Sequence, residues 1–118
     1  MPTLALAQSP AADHVPFAVD ALGKLRVSLP SAVYSGQKTV TAAGTAETLA
    51  ASQALVTGVY IKALAANTGN IYVGNSDVAA ATGFVLAAGD LVFIEIDNLA
   101  TVYVDAAEDG EGVSYLGS

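Results

Sequence analysis

Apolar and polar residues alternate one for one through much of the second half of the chain, which is the period of a β-strand with one buried face. In Val56 to Leu64, the residues Val59, Ile61 and Ala63 fall on one side and Tyr60, Lys62 and Leu64 on the other. Leu91 to Ile96 repeats the pattern: Leu91, Phe93 and Glu95 share a face, and because that face holds Glu95, Val92, Ile94 and Ile96 are assigned to the core. Ile71 to Val73, Phe84 to Leu86 (with Phe84 and Leu86 on one face), Thr101 to Asp105 and a last run around Val113 and Tyr115 read as further short strands. Asn67-Thr68-Gly69-Asn70 has the residues of a hairpin turn that would bring Ile71-Tyr72-Val73 back antiparallel. Thr39 to Ala42 and Thr45 to Leu49 are two earlier strands, and Ala50 to Ala54 has the composition of one helical turn. Short strands at regular spacing with turn residues between them predict an all-β chain, an antiparallel β-sandwich or barrel of jelly-roll-like type.

The first third is different. Pro2, Pro10, Pro16 and Pro30 all lie there, and each removes a backbone donor. Residues 1–36 are therefore assigned to an extended N-terminal arm and residues 37–118 to a compact β domain. Within the arm, Lys24-Leu25-Arg26-Val27-Ser28-Leu29 alternates as an edge strand does. Charge divides the same way: residues 1–38 hold three basic and two acidic side chains, whereas residues 39–118 hold one lysine against nine acids. The basic arm is thus the expected contact segment, with Lys24, Leu25, Arg26, Val27 and Lys38 as the residues that meet a neighbouring subunit or another protein.

Composition excludes several classes of function. At 118 residues the chain is one ordinary domain; 53% of it is hydrophobic, but only 7% is aromatic, so its core is built from small side chains and gains from subunit association. A net charge of −7 repels nucleic-acid phosphates and anionic membranes. The opening Met1 to Ala7 has no basic segment of the signal-peptide kind, and no run reaches the eighteen or so apolar residues of a membrane helix. There is no cysteine and one histidine, His14, whose only adjacent acid is Asp13. Ser114 sits in Gly112-Val113-Ser114-Tyr115-Leu116, which lacks the closing glycine of a nucleophile elbow. The glycines form no phosphate-binding loop. No catalytic residue is assigned.

One cluster has ligand chemistry. Asp105, Glu108, Asp109 and Glu111 crowd seven positions around Gly110, but Ala107 occupies the place where a calcium loop needs its second ligand, so a solvated acidic loop with no metal is expected. Tyr34, Tyr60, Tyr72, Tyr103 and Tyr115 alternate against core positions and are expected to line an exposed sheet face, suited to packing at an interface.

The run from Ile61 through Asn67-Thr68-Gly69-Asn70 to Gly74, followed by Thr82-Gly83-Phe84-Val85-Leu86-Ala87-Ala88-Gly89-Asp90, resembles small structural proteins of tailed-bacteriophage virions. Val19 to Ser28 is similar to N-terminal stretches of such proteins, and the similar pieces together cover most of residues 19–116. Short length, acidity and the lack of fibre repeats resemble a head decoration, or capsid cement, protein most. The resemblance implies a homo-oligomer, a trimer, on the outer capsid surface of the virion, with the major capsid protein as partner, no cofactor, and a role in bridging capsomers. A tail, neck or fibre component and a glycan-binding attachment module are the alternatives.

Overall fold

A computed structural model describes residues 29–118. Among the described residues eight strands follow in order: β1 Tyr34–Thr39, β2 Glu47–Thr48, β3 Val59–Ala63, β4 Ile71–Gly74, β5 Phe84–Leu86, β6 Leu91–Ile94, β7 Tyr103–Ala106 and β8 Gly112–Gly117, with a 3-10 turn at Leu99–Thr101 before β7. They form two antiparallel four-stranded sheets, β1-β8-β3-β6 (the first sheet) and β2-β7-β4-β5 (the second). The pairings nest: first with last, second with seventh, third with sixth, fourth with fifth. A long hairpin doubled at the β4–β5 loop and folded over itself gives that order, which is the jelly-roll wiring of a β-sandwich. The all-β sandwich expected from the alternation is therefore the observed architecture.

Side-chain alternation places the core. Val59, Ile61 and Ala63 of β3 are fully buried, and Ile71 and Val73 of β4 and Val104 of β7 face them from the second sheet. Val92, Ile94 and Ile96 pack half-buried against this cluster, as the sequence pattern assigns them. Gly36 in β1 lets the Tyr115 ring cross its strand, since a Cβ there would lie 2.6 Å from the Tyr115 hydroxyl. Gly58, at φ +145°, enters β3 so close to β6 that a Cβ would stand 2.2 Å from the Ile94 carbonyl oxygen.

Three local expectations are corrected. The first described strand runs Tyr34–Thr39 and not Thr39 to Ala42, because Glu47 and Asp109 hold the amides of Thr41 to Ala43 in a turn. Ala50 to Ala54 is not helical; Ala54 makes an isolated bridge to Asn98. Asn67 to Asn70 is no hairpin turn: β3 and β4 lie in different sheets, and the four residues form the corner between them. Phe84 and Leu86 share a face of β5 as the alternation has it, but that face leaves the core at the strand's start, where Phe84 is 59% exposed whereas Leu86 is buried.

The two outer faces differ. Over the second sheet, the loop after β4 folds back so that Val78 is buried against Gly74 and Gly83, beside Tyr72. The outer face of the first sheet has no such cover from the described residues. The five tyrosines accordingly do not share one face: Tyr34 and Tyr115 pack against the core, Tyr72 and Tyr103 lie half-buried in the second sheet, and Tyr60 stands exposed on the first.

Candidate functional site

The bare face of the first sheet is organised in rungs across its strands. In one rung Ser35 of β1 is paired with Leu116 of β8, Leu116 with Tyr60 of β3, and Tyr60 with Phe93 of β6. The next rung runs Gln37, Ser114, Lys62, Leu91. Alternation dictates that these residues point outward when Val59, Ile61 and Val92 point inward. Tyr60 and Phe93 meet with ring centroids 4.7 Å apart at 50°, the tilted contact that aromatic quadrupoles favour. Leu116 and Leu91 extend the apolar surface on either side, and exposed Val33 closes one end of it in a shallow groove shared with Tyr60, Phe93 and Leu116.

Charge sets this face apart as much as apolarity does. None of the outward residues in its four strands is Asp or Glu, although residues 39–118 contain nine acids; Lys62 is the charged group among them. Asp90 and Glu95 stand just beyond the two ends of β6.

The acidic segment does different work from the solvated loop expected of it. Asp105 is 2% exposed and Glu111 7%, and this is a correction to the sequence reading. Backbone amides from distant loops take oxygens of these carboxylates and offset part of the cost of burying their charge. Four consecutive amides of the turn after β1 are each taken by a carboxylate: Thr41 and Ala42 donate to Glu47 Oε2 at 3.0 Å, Ala43 to Asp109 Oδ1 at 2.7 Å, and Gly44 to Asp105 Oδ1 at 2.8 Å. At the β3–β4 corner, Glu111 Oε2 accepts from the Thr68 amide at 2.8 Å and its hydroxyl at 2.9 Å, while Oε1 accepts from the Gly69 amide at 2.7 Å. Asn67 completes that corner by exchanging two hydrogen bonds with the Gly112 backbone, at 2.8 and 3.0 Å. Glu108 remains exposed.

Two of these carboxyls are held below the usual carboxylate range. Desolvation pulls Glu47 upward, but the Ala42 amide, the Lys38 ammonium and the Thr41 hydroxyl outweigh it and hold the group at about 2 against the usual 4.5. The Thr68 amide, reinforced by the Gly69 amide and the Thr68 hydroxyl, overcomes desolvation at Glu111 and lowers it as well.

Of the residues expected to make contacts, Lys24, Leu25, Arg26 and Val27 lie outside the described residues, as does His14. Lys38 faces inward from β1, and its Nζ lies 2.9 Å from Glu47 Oε1, an ion pair that ties the first sheet to the second. The apolar rungs were half legible: alternation already turned Leu91, Phe93 and Tyr60 outward, but only the strand order brings Leu116 between Ser35 and Tyr60. Neither a family model, nor a curated protein, nor a solved structure matches this chain.

Proposed function

We propose that this is a structural protein of a tailed-bacteriophage virion, without catalytic activity, that sits on the outer surface of the capsid as a homo-oligomer and stabilises the shell by bridging capsomers. The observation that carries the reading is the uncovered apolar face of the first sheet, with no outward carboxylate within its strands, on a sandwich whose second sheet is partly covered by the loop after β4. Its occupant is a second copy of the chain: an acidic molecule self-associates most readily where it presents no acid to itself. The arm, with Lys24, Leu25, Arg26 and Val27, is assigned to the major capsid protein or to a neighbouring subunit. The trimeric count rests on the family resemblance.

Magnitudes say that the face alone is marginal. About half of four large side chains is exposed on this face, roughly 350 Å² on each copy and so roughly 700 Å² for two, which falls short of the roughly 1,200 Å² or more that a stable interface buries, while association itself costs roughly 4–15 kcal/mol. The arm is expected to supply the rest, and repetition over a shell supplies avidity.

Light scattering over a concentration series, with wild type and Phe93→Asp compared, tests the subunit contact. An oligomer that falls to monomer in the variant, with an unchanged circular dichroism spectrum, supports it; a variant that stays oligomeric removes it. Co-sedimentation with undecorated shells, with and without residues 1–28, tests the capsid contact. The exposed Tyr60–Phe93 pair also suits a second reading, a glycan-binding attachment module, for which binding to a glycan panel and not to shells is the expected outcome.

A further inference from the structure

Asp105 lies in β7 on the outer side of the second sheet, at the floor of a groove of about 620 Å³. Its Oδ1 accepts from the Gly44 amide at 2.8 Å and from the Ala106 amide at 2.7 Å. Among the described residues, no donor reaches Oδ2. A carboxylate that is 2% exposed with one oxygen unpartnered is a costly group unless something brings it a proton donor or a positive charge. The walls of the groove are the methyls of Ala43, Ala79, Ala80, Ala81 and Ala107, with Tyr72 beside them.

Three kinds of occupant could satisfy Oδ2, and the walls decide between them. A divalent cation requires several oxygen ligands, and among the described residues no three Asp, Glu, His or Cys side chains come together. A sugar requires several donors and acceptors at once, whereas alanine methyls offer none. A long cationic side chain requires one acceptor at the end of an apolar sleeve: its methylenes lie along the methyls and the Tyr72 ring while its head reaches the carboxylate. Asp109, fixed by the Ala43 amide, adds negative charge at the same wall.

We propose that this groove receives one lysine or arginine side chain of a partner protein, with Asp105 Oδ2 as the acceptor. The proposal rests on reading the chain as a protein-binding module, but it concerns a different sheet from the self-association face, so the two fail separately.

The test is a nuclear magnetic resonance titration of the full chain with N-acetyl-lysine-N-methylamide and with its arginine counterpart, followed at the Gly44 and Ala106 amides that hold Asp105. Saturable shifts are expected with one or both, and none with the uncharged norleucine analogue. Asp105→Asn, and Ala80→Leu, which narrows the groove from an exposed position, should each weaken binding about tenfold or more. The Ala80 variant decides the matter if Asp105→Asn does not fold. The proposal is overturned if norleucine shifts the same amides equally, if Ca²⁺ or methyl glucoside shifts them and lysine does not, or if Ala80→Leu binds as wild type does. It is overturned too if replacing Lys24 and Arg26 by alanine moves those amides with no probe present, because the arm of this chain would then fill the groove itself.

Discussion

Glu47 shows how a single carboxylate can hold two sheets and a turn together. Oε2 takes the Thr41 amide, the Thr41 hydroxyl and the Ala42 amide, and Oε1 takes Lys38 from the other sheet. Because its folded-state pKa, about 2, lies below the usual 4.5, its contribution to stability is complete above pH 4.5 and is lost as pH falls from there toward 2. Glu111 acts in the same direction. Thermal melts of wild type from neutral to acid pH should therefore drop steeply in that window, and Glu47→Gln should flatten the drop while costing about 1–2 kcal/mol at neutral pH, discounted for partial exposure. An acid limb as steep in the variant as in wild type would show that Glu47 is not the group responsible. Gly58 supplies a second prediction at this scale. With φ at +145° and the Ile94 carbonyl in the place of a Cβ, Gly58→Ala should destabilise by about 2 kcal/mol or more, read as a lower urea midpoint, whereas Gly89→Ala, at φ +87° with open space around it, should cost only the backbone strain.

Elements were legible where side-chain period alone determines them. Val59, Ile61 and Ala63 face inward because alternation leaves no other choice, and the same holds for Val102 and Val104. The corner at Asn67 to Asn70 could not be read this way. Asn-Thr-Gly-Asn is turn chemistry in a hairpin and in a crossover alike, and what selects the crossover is Glu111 and Gly112, more than forty residues away, gripping Thr68, Gly69 and Asn67. The acidic segment was misjudged for the same reason: composition shows the charges but not the distant amides that neutralise them. A prediction belongs here. Glu111→Ala strips both amides of the corner, so hydrogen exchange at Thr68 and Gly69 should accelerate well before the β3 amides Ile61 and Ala63 respond. Equal acceleration in both places would mean that the corner is held by the sandwich and not by Glu111.

At the scale of the whole molecule, the charge distribution and the bare sheet make opposite demands. A net charge of −7 drives copies apart, while the Tyr60, Leu91, Phe93 and Leu116 surface draws them together. Partial cover of the second sheet by the loop after β4, and the absence of outward acids within the strands of the first, leave the first sheet as the side on which approach is cheapest. Salt separates the two contributions, because it screens repulsion between exposed charges further apart than the Debye length, about 10 Å at about 0.1 M and shorter at higher salt, but leaves apolar burial in place or slightly strengthens it. If the apolar face is the subunit contact, raising NaCl from about 20 mM to about 500 mM should tighten the oligomer, lowering the concentration at which sedimentation detects half dissociation. Phe93→Asp should stay monomeric across the same range, since screening removes the repulsion but does not restore the buried ring. Should salt instead dissociate the wild-type oligomer, the contact is held by ion pairs, for which Lys62 and the basic arm would be the partners, and the apolar rungs would not be the surface on which these subunits meet.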